Sequence, residues 1–449
     1  MKQKKLVIIG SGESGTGAAI LAKRKGFDVF VSDKGKIKDV YKEKLIKEEI
    51  AFEEGQHNYE ILFAADEIIK SPGIQEKYEV MKKIRERNIP VVGEIEFAWR
   101  YCEGKVIAIT GSNGKSTCTS LTYHMLRKAG LDVALGGNIG KSFAELIANG
   151  KNEYYVLEIS NFQLDDAVTF KPYISVLLNI TPDHLDSYNY EFEKYIASKF
   201  RIKMNQTAGD YFIYNADDPV VTNKLKSELT NNNGPKLIPF TLDDRPGEGA
   251  WVADNQIQIN INQNKFTMTI NELALQGKHN QYNTMAAGIS GKLLGLNNEN
   301  MRESFSDFTS LEHRLEFVAQ VHGIEFINDS KATNVNSSWY ALESQTKPVI
   351  WIVGGIDKGN DYALMTDLVK KKVKAIVCLG KDNTRIQQAF SKLVDIIVNT
   401  ESMRDCVEMA YRLGNNGDVV LLSPACASFD LFENYEDRGN QFKARVREL

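Results

Sequence analysis

Ile107-Ala-Ile-Thr110-Gly111-Ser112-Asn113-Gly114-Lys115-Ser116-Thr117 joins an apolar run of strand length to a helix through a turn of small residues. Apolar periodicity resumes over residues 121–126, so the order is strand, glycine loop, helix. A helix N-terminus offers N–H groups and a partial positive charge, which suits phosphate. The glycines let backbone amides approach phosphate oxygens, Lys115 can reach the terminal phosphates, and the Ser116 hydroxyl can ligate Mg²⁺. Ile109 stands where the usual phosphate loop has its first glycine, so this is a shortened form, T-G-x-x-G-K-S-T. An ordinary glycine turn is the alternative, and Lys-Ser-Thr directly after the second glycine argues against it. ATP held by Gly111, Ser112, Asn113, Gly114, Lys115, Ser116 and Thr117 is the expectation from which the other readings follow.

Upstream, residues 4–9 read as a buried parallel strand, followed by Gly10-Ser-Gly12-Glu-Ser14-Gly15, a helix over 18–25 and a strand over 28–32 ending at Asp33. This is a βαβ unit with a G-x-G-x-x-G turn and an acid after its second strand. Strands at 67–70 and 89–92, a charged helix at 75–87 and a loop at Ser71-Pro-Gly73 complete a first domain, 1–93. Alone, the turn reads as NAD or FAD binding with Asp33 on a ribose, yet no hydride-transfer site follows. A second nucleotide site beside an ATP loop suggests a substrate that itself carries a nucleotide, its pyrophosphate on the amides of Ser14, Gly15 and Thr16.

Downstream, a helix at 94–102 leads into the phosphate-loop strand. Strands follow at 133–135, 154–159, 174–178 and 211–214, with turns at 231–235 and 243–247. Residues 250–270 alternate with period two, as antiparallel strands at a sheet edge do. A helix at 280–294 closes a central domain, 94–310. A third unit, 311–449, starts near Leu311 with strands at 325–328, 348–353, 375–379, 395–398 and 418–422. The expected fold is α/β in three domains.

At 449 residues the chain is too long for one core, and typical domain sizes give about three. A composition 43% hydrophobic and 25% charged is that of an ordinary soluble protein. A net charge of −4 implies no general affinity for nucleic acid, and the clusters 2–5 and 370–374 read as solvated faces. Five cysteines without CxxC spacing argue against a disulfide framework or zinc site and fit a reducing cytosol. The N-terminus lacks a signal core, and no window approaches ~20 apolar residues, so a cytoplasmic protein without membrane insertion is expected.

Several strand ends carry chemistry. Val156-Leu-Glu158-Ile-Ser160 puts a carboxylate at the end of a buried strand, a candidate Mg²⁺ ligand on ATP phosphates. Thr181-Pro-Asp183-His184-Leu-Asp186 follows another strand, and His184 could ligate a second metal or touch a phosphate. Lys199, in a helix at 195–203, reads by itself as a solvated lysine. In the third domain Asp329-Ser-Lys331-Ala-Thr333-Asn334, Gly354-Gly-Ile-Asp-Lys358-Gly and Ser423-Pro-Ala-Cys-Ala-Ser428-Phe429-Asp430 form a rim with cations and helix amides, suited to a small anion. Ser428 and Phe429 are expected where a helix begins.

The stretch from Thr110 to Thr117, with Gly137-Asn138-Ile-Gly140, Leu157-Glu-Ile-Ser-Asn161-Phe-Gln163, Asp183-His-Leu-Asp186, His279-Asn280, His313-Arg314 and Asp329-Ser-Lys-Ala-Thr-Asn334, resembles the Mur ligases. These are the ATP-dependent amide ligases of peptidoglycan precursor synthesis. The first-domain loop and Leu422–Asp430 with Arg438-Gly-Asn resemble the branch that adds D-glutamate to UDP-N-acetylmuramoyl-L-alanine. Asn161 stands where serine is usual, and Asp33-Lys34 where the uridine-side loop is often Thr-Arg-like. The resemblance implies a Rossmann-like first domain, a central phosphate-loop domain and a Rossmann-like C-terminal domain, binding uridine nucleotide, ATP and amino acid in turn. It implies catalytic roles for Lys115, Asn138, Glu158, His184, Lys199 and Lys331. Asn280, Arg314 and Asp329 would hold the nucleotide. Ser14, Gly15, Thr16, Asp33, Lys34, Ser71, Gly73, Asn138 and His184 would contact the UDP-substrate. Lys331, Thr333, Lys358, Ser428 and Phe429 would hold the amino acid. Ser116, Glu158, His184 and Lys199 would serve two Mg²⁺, Lys199 as a carbamate, since a free ammonium would repel the metal. Its partners would be small molecules only, and a monomer is expected.

Overall fold

Leu6, Val7, Ile8 and Ile9 are at most 1% exposed, which is how a parallel strand covered on both faces must look. The computed structural model describes residues 3–228, 234–245, 247–309 and 312–449. In the first sheet β1 (Lys5–Ile9), β2 (Asp28–Asp33), β3 (Ala51–Glu54), β4 (Glu67–Lys70) and β5 (Val91–Gly93) lie in the order β3-β2-β1-β4-β5, all parallel. Strand order reverses at β1, so the turn after β1 and the loop after β4 share the crevice where such sheets take ligands.

The second sheet holds β6 (Lys105–Thr110), β7 (Val133–Gly137), β8 (Tyr154–Glu158), β9 (Ile174–Leu177), β10 (Tyr211–Asn215), β11 (Lys236–Phe240), β12 (Gly249–Ala253), β13 (Gln256–Ile261) and β14 (Asn264–Thr269). Their order is β14-β13-β12-β11-β10-β9-β6-β8-β7. β6 is flanked by β8 and β9, so three strand ends meet around the phosphate loop. β12 to β14 form the antiparallel edge that the period-two pattern anticipates. One apolar core, including Leu6, Ile8, Phe97, Ala108, Phe143 and Leu157, runs through both sheets.

The third sheet contains β15 (Glu316–Val321), β16 (Ile324–Asn328), β17 (Val349–Val353), β18 (Val373–Leu379), β19 (Ile397–Thr400) and β20 (Val419–Leu422), in the order β15-β16-β20-β17-β18-β19. Val349, Trp351 and Val353 enter one core while Ile350 and Ile352 enter another, the alternation of a strand buried on both faces. The chain divides into two compact units, Met1–Leu273 with Asn280–Asp307, and Ala274–His279 with Phe308–Leu449.

Several elements depart from the sequence reading. β3, β11 and β15 were not expected. β3 is a short edge strand of mixed exposure. β11 contains Pro239, tolerated because β12 pairs with it only at Phe240. β15 is an edge strand with Phe317 61% exposed. The helix expected at 75–87 is confined to Glu79–Glu86, and that at 94–102 ends at Trp99. The lysines of 370–374 are not simply a solvated face. Lys372 Nζ donates to the Leu342 and Gln345 carbonyls at 3.2 and 2.7 Å, and Lys374 pairs with Asp418 at 2.7 Å. Lys2, residues 231–233 of the first expected turn, Pro246 of the second and Leu311 lie outside the described residues.

Candidate active site

β6 ends at Thr110, and Gly111 (φ +154) and Gly114 (φ +84) turn the chain into the helix Lys115–Lys128. Gly114 is the N-cap, and a Cβ there would lie 2.6 Å from Asn283 Oδ1. The first helical hydrogen bond, Cys118 N–H to Gly114 O at 2.9 Å, leaves the amides of Lys115, Ser116 and Thr117 ahead of it, facing out of the turn. Lys115 Nζ lies over this loop, donating to the carbonyls of Gly111 and Ser112 at 2.8 and 2.7 Å.

The loop is gripped by the segment after β9, whose Asn179 the sequence reading passed over. Asn179 Oδ1 accepts from Asn113 N–H at 2.8 Å, its Nδ2 donates to Asn113 O at 3.0 Å, and its carbonyl accepts from Ser112 N–H at 3.0 Å. Ser112 Oγ returns the grip, donating to Thr181 O at 2.8 Å and accepting from Thr181 N–H at 2.9 Å, with Tyr195 Oη at 3.0 Å. The Ser112 hydroxyl is thus engaged with Thr181 and Tyr195. The same segment carries Asp183 and His184, so their position is registered to the phosphate loop.

Glu158, at the end of β8, is 2% exposed. Its Oε1 accepts from Asn138 Nδ2 at 2.7 Å and its carbonyl from Asn138 N–H at 2.8 Å. Gly137 permits this closeness, because a Cβ there would sit 2.2 Å from Glu158 O. His184 has φ +53, its imidazole 5.4 Å from the Phe162 ring and 3.7 Å from Asp183. Lys199 is no solvated lysine: it is 1% exposed, and its Nζ donates to Gly111 O at 3.0 Å. Burial, then the charge of Lys115, holds its pKa well below the usual lysine value against the pull of Asp183, Glu158 and Asp165. That direction favours the neutral, nucleophilic form of its amine.

Among the described residues no three His, Cys, Asp or Glu side chains converge as a metal cage. Mg²⁺ needs none: it keeps few protein ligands and takes phosphate oxygens. The buried Glu158 carboxylate and the Ser116 hydroxyl beside a phosphate cradle fit that donor chemistry.

At the first sheet, Gly10 (φ +87) and Gly15 close the turn tightly, since a Cβ on Gly15 would meet Gly10 O at 1.7 Å. Ser71 Oγ donates to the same carbonyl at 2.9 Å. The helix Glu13–Arg24 begins here, and the Thr16 amide is already taken by Gly12 O at 2.9 Å. Only the amides ahead of it remain available to a pyrophosphate. Ser14 is half-buried, while Lys34 and Gly73 are exposed at the same strand ends.

Asn280, in the first unit, accepts from Asn283 Nδ2 at 3.2 Å. In the second unit Asp329 is buried, accepting from Ser423 Oγ at 2.9 Å. Burial raises its pKa to about 7, opposed first by Arg314. Lys331 N–H donates to His313 O at 3.1 Å, and Lys331 Nζ lies 5.2 Å from the Tyr435 ring centroid. Arg438, which the sequence reading only quoted, is 1% exposed and ties Ser330 O (2.8 Å) to Cys426 O (3.2 Å). Thr333 is half-buried. The two strand-end loops are joined, Ile356 N–H donating to Ala427 O at 2.8 Å and Ala427 N–H to Ile356 O at 3.2 Å. Lys358 is exposed on one of them, Phe429 is 67% exposed on the other, and Ser428 is buried. No helix begins at Ser428. Residues 429–431 turn, and the next helix, Tyr435–Arg447, starts where Asn434 accepts from Asp437 N–H at 2.7 Å.

Comparison with known proteins matches the chain to three family descriptions: Mur ligase MurD-like, N-terminal domain, over residues 4–93; Mur ligase middle domain over 109–291; and Mur ligase, glutamate ligase domain over 313–426. It is 53% identical over 446 residues to a UDP-N-acetylmuramoylalanine–D-glutamate ligase of Christiangramia forsetii, covering 99% of this chain and 100% of that one. A ligase of the same description from Bacteroides fragilis is 51% identical over 447 residues, with 99% and 100% covered. Among solved structures, the UDP-N-acetylmuramate–alanine ligase of Thermotoga maritima shares the fold with a TM-score of 0.65 at 16% identity, covering 99% of each chain. The phosphate loop, the strand-end Glu158 and three matched domains in order agree with full-length identity above half, and the chain belongs to the Mur ligase family.

Proposed function

We propose that the protein is an ATP-dependent, ADP-forming amide ligase that joins D-glutamate to UDP-N-acetylmuramoyl-L-alanine in peptidoglycan precursor synthesis. The observation that carries this is identity of about half, end to end, with relatives described as D-glutamate ligases of that substrate. Residues 1–93 would take the UDP-substrate, 94–310 ATP and 311–449 the amino acid.

In the first step the L-alanyl carboxylate oxygen attacks the γ-phosphorus and ADP departs, leaving an acyl phosphate. In the second the D-glutamate amine attacks the acyl carbon, phosphate departs and the amine loses a proton. The first-turn amides and Lys115 hold the transferring phosphate and offset the charge built between two anions. Lys115 must exchange the Gly111 and Ser112 carbonyls for phosphate oxygens. Asn138 keeps Glu158 oriented by its 2.7 Å bond. Mg²⁺, when bound, adds Lewis-acid polarisation of the phosphoryl oxygens. Glu158, Ser116 and His184 would hold it, at two sites.

Lys199 as a carbamate is part of this reading. Its burial favours the neutral amine that CO₂ requires, and a carbamate would bring anionic oxygens beside Glu158. Lys331, Thr333, Lys358, Ser428 and Phe429 would form the D-glutamate pocket, with Asn280, Arg314 and Asp329 on the nucleotide. A cytoplasmic monomer acting on small molecules completes the reading; no helix of the described residues is long and apolar enough to cross a membrane. The test is incubation with ATP, Mg²⁺, UDP-N-acetylmuramoyl-L-alanine and a panel of amino acids. ADP release dependent on D-glutamate is expected, and release with another amino acid instead would overturn the assignment.

A further inference from the structure

Asp33 is engaged within the protein. Its Oδ2 accepts from Ser11 N–H and Ser11 Oγ, both at 2.7 Å, and its Oδ1 from Gly35 N–H at 2.8 Å. It braces the glycine turn. The residue before it, Ser32, is fully buried, and its Oγ lies 2.7 Å from Glu53 Oε1 and 2.7 Å from His57 Nδ1. One hydroxyl proton must serve both contacts. Glu53, as a carboxylate, can only accept, and it also takes Asn58 N–H at 2.7 Å. Ser32 therefore donates to Glu53 and accepts from His57, which places the ring proton on Nδ1. Nε2, which makes no hydrogen bond among the described residues, is left as a bare acceptor when the ring is neutral. Burial favours that neutral form, with Lys34 on its side and Glu53 and Asp33 against it.

The sheet order gives this acceptor a position. A βαβ nucleotide site puts the pyrophosphate at the turn after the first strand and the ribose near the acid after the second. β3 is the next strand outward from β2, and His57 follows it within three residues. A base carried beyond the ribose comes to the end of β3. We propose that His57 is a specificity-determining residue for the UDP-substrate, its Nε2 accepting the N3–H of the uracil ring. Cytosine has no N3–H, so this contact selects uracil. The inference rests on the proposed reading that the first sheet holds the uridine nucleotide.

His57→Ala tests it in the full-length enzyme. The KM for UDP-N-acetylmuramoyl-L-alanine should rise about five- to tenfold, the value of one neutral hydrogen bond. kcat and the KM values for ATP and D-glutamate should hold, and inhibition at fixed pH should lose its preference for UDP over CDP. An unchanged substrate KM with an unchanged UDP-to-CDP ratio overturns the assignment. Should the variant misfold, equal inhibition of the unmutated enzyme by UDP and CDP overturns it equally. Absence of turnover by the unmutated enzyme, in contrast, removes the ligase reading itself.

Discussion

Two glycine turns open the first and second sheets, and they are held in opposite ways. The turn after β1 is locked by its own backbone: Gly15 lies so close to the Gly10 carbonyl that no side chain fits, and Ser71 and Asp33 add bonds to Gly10 O and to Ser11. The loop after β6 is held from outside, by Asn179 and Thr181 on the segment after β9. The first device gives a fixed cradle. The second makes the phosphate loop depend on a segment that also carries Asp183 and His184, so nucleotide binding and the proposed metal side share one support.

The largest effect should follow from breaking the inner lock. In Gly15→Ala the new Cβ meets a backbone carbonyl at 1.7 Å, and no rotamer relieves it. A stability loss above about 4 kcal/mol is expected, the range reserved for severe core defects. Gly114→Ala is the contrast. Its neighbour at 2.6 Å is a side-chain end, Asn283 Oδ1, so the left-handed backbone alone should cost about 1–2 kcal/mol. Thermal unfolding of both variants checks the order, and a reversed order would end the distinction between the turns.

Lys115→Ala comes next, with its effect on rate and not on fold. Removing the cation from the transferring phosphate should cost about 3–4 kcal/mol of transition-state stabilisation, read as loss of ADP formation with unchanged circular dichroism. Near-normal turnover would remove ATP from this loop. Asn179→Ala should lower kcat/KM for ATP about 10²-fold, the usual consequence of displacing reacting groups by about 1 Å. The D-glutamate KM should not move. A variant that only melts earlier, with ATP kinetics intact, would reduce the clamp to a structural staple.

The two turns also differ in how far the sequence exposes them. Both glycine patterns, Lys115, Glu158 and the β12–β14 edge are legible because spacing and period survive in one dimension. The clamp is not, since Asn179 in a Leu-Asn-Ile-Thr run looks like any strand end and its partner lies 66 residues away. Lys199 misleads for a similar reason: helical position alone cannot show that its ammonium is buried against Thr110 and Gly111. β3 and β15 are short edges whose mixed exposure leaves no pattern, and the Pro239 of β11 reads as a breaker until its sparse pairing is seen. Ser428 fails as a helix start because the true cap is Asn434, six residues on.

The last predicted effect lies where the first and second sheets share their core. The helix from the first turn packs on the helix Phe143–Asn149, so closely that a Cβ on Gly17 would touch Ser142 Oγ. The chain crosses between the sheets there at Glu94, which is 1% exposed. Its Oε1 accepts from Ala144 N–H at 2.6 Å, and its Oε2 has no partner among the described residues. Burial, with Glu13 adding, raises the Glu94 pKa from 4.5 to about 8. Between those values the folded state keeps a proton that the unfolded chain has released, so stability falls as pH rises, by at most about 1.4 kcal/mol per pH unit. Below pH 4.5 both states are protonated and the term vanishes; above 8 the loss is complete. Glu94→Gln keeps the acceptor for Ala144 and removes the titration. Denaturant unfolding at pH 6 and pH 8 should show the unmutated protein losing stability relative to the variant. Asp329, also raised, titrates alike in both proteins and cancels from that difference. Stability curves that stay parallel from pH 6 to 8 would mean that Glu94 is ionised at the junction, and that water reaches the packing between the two sheets.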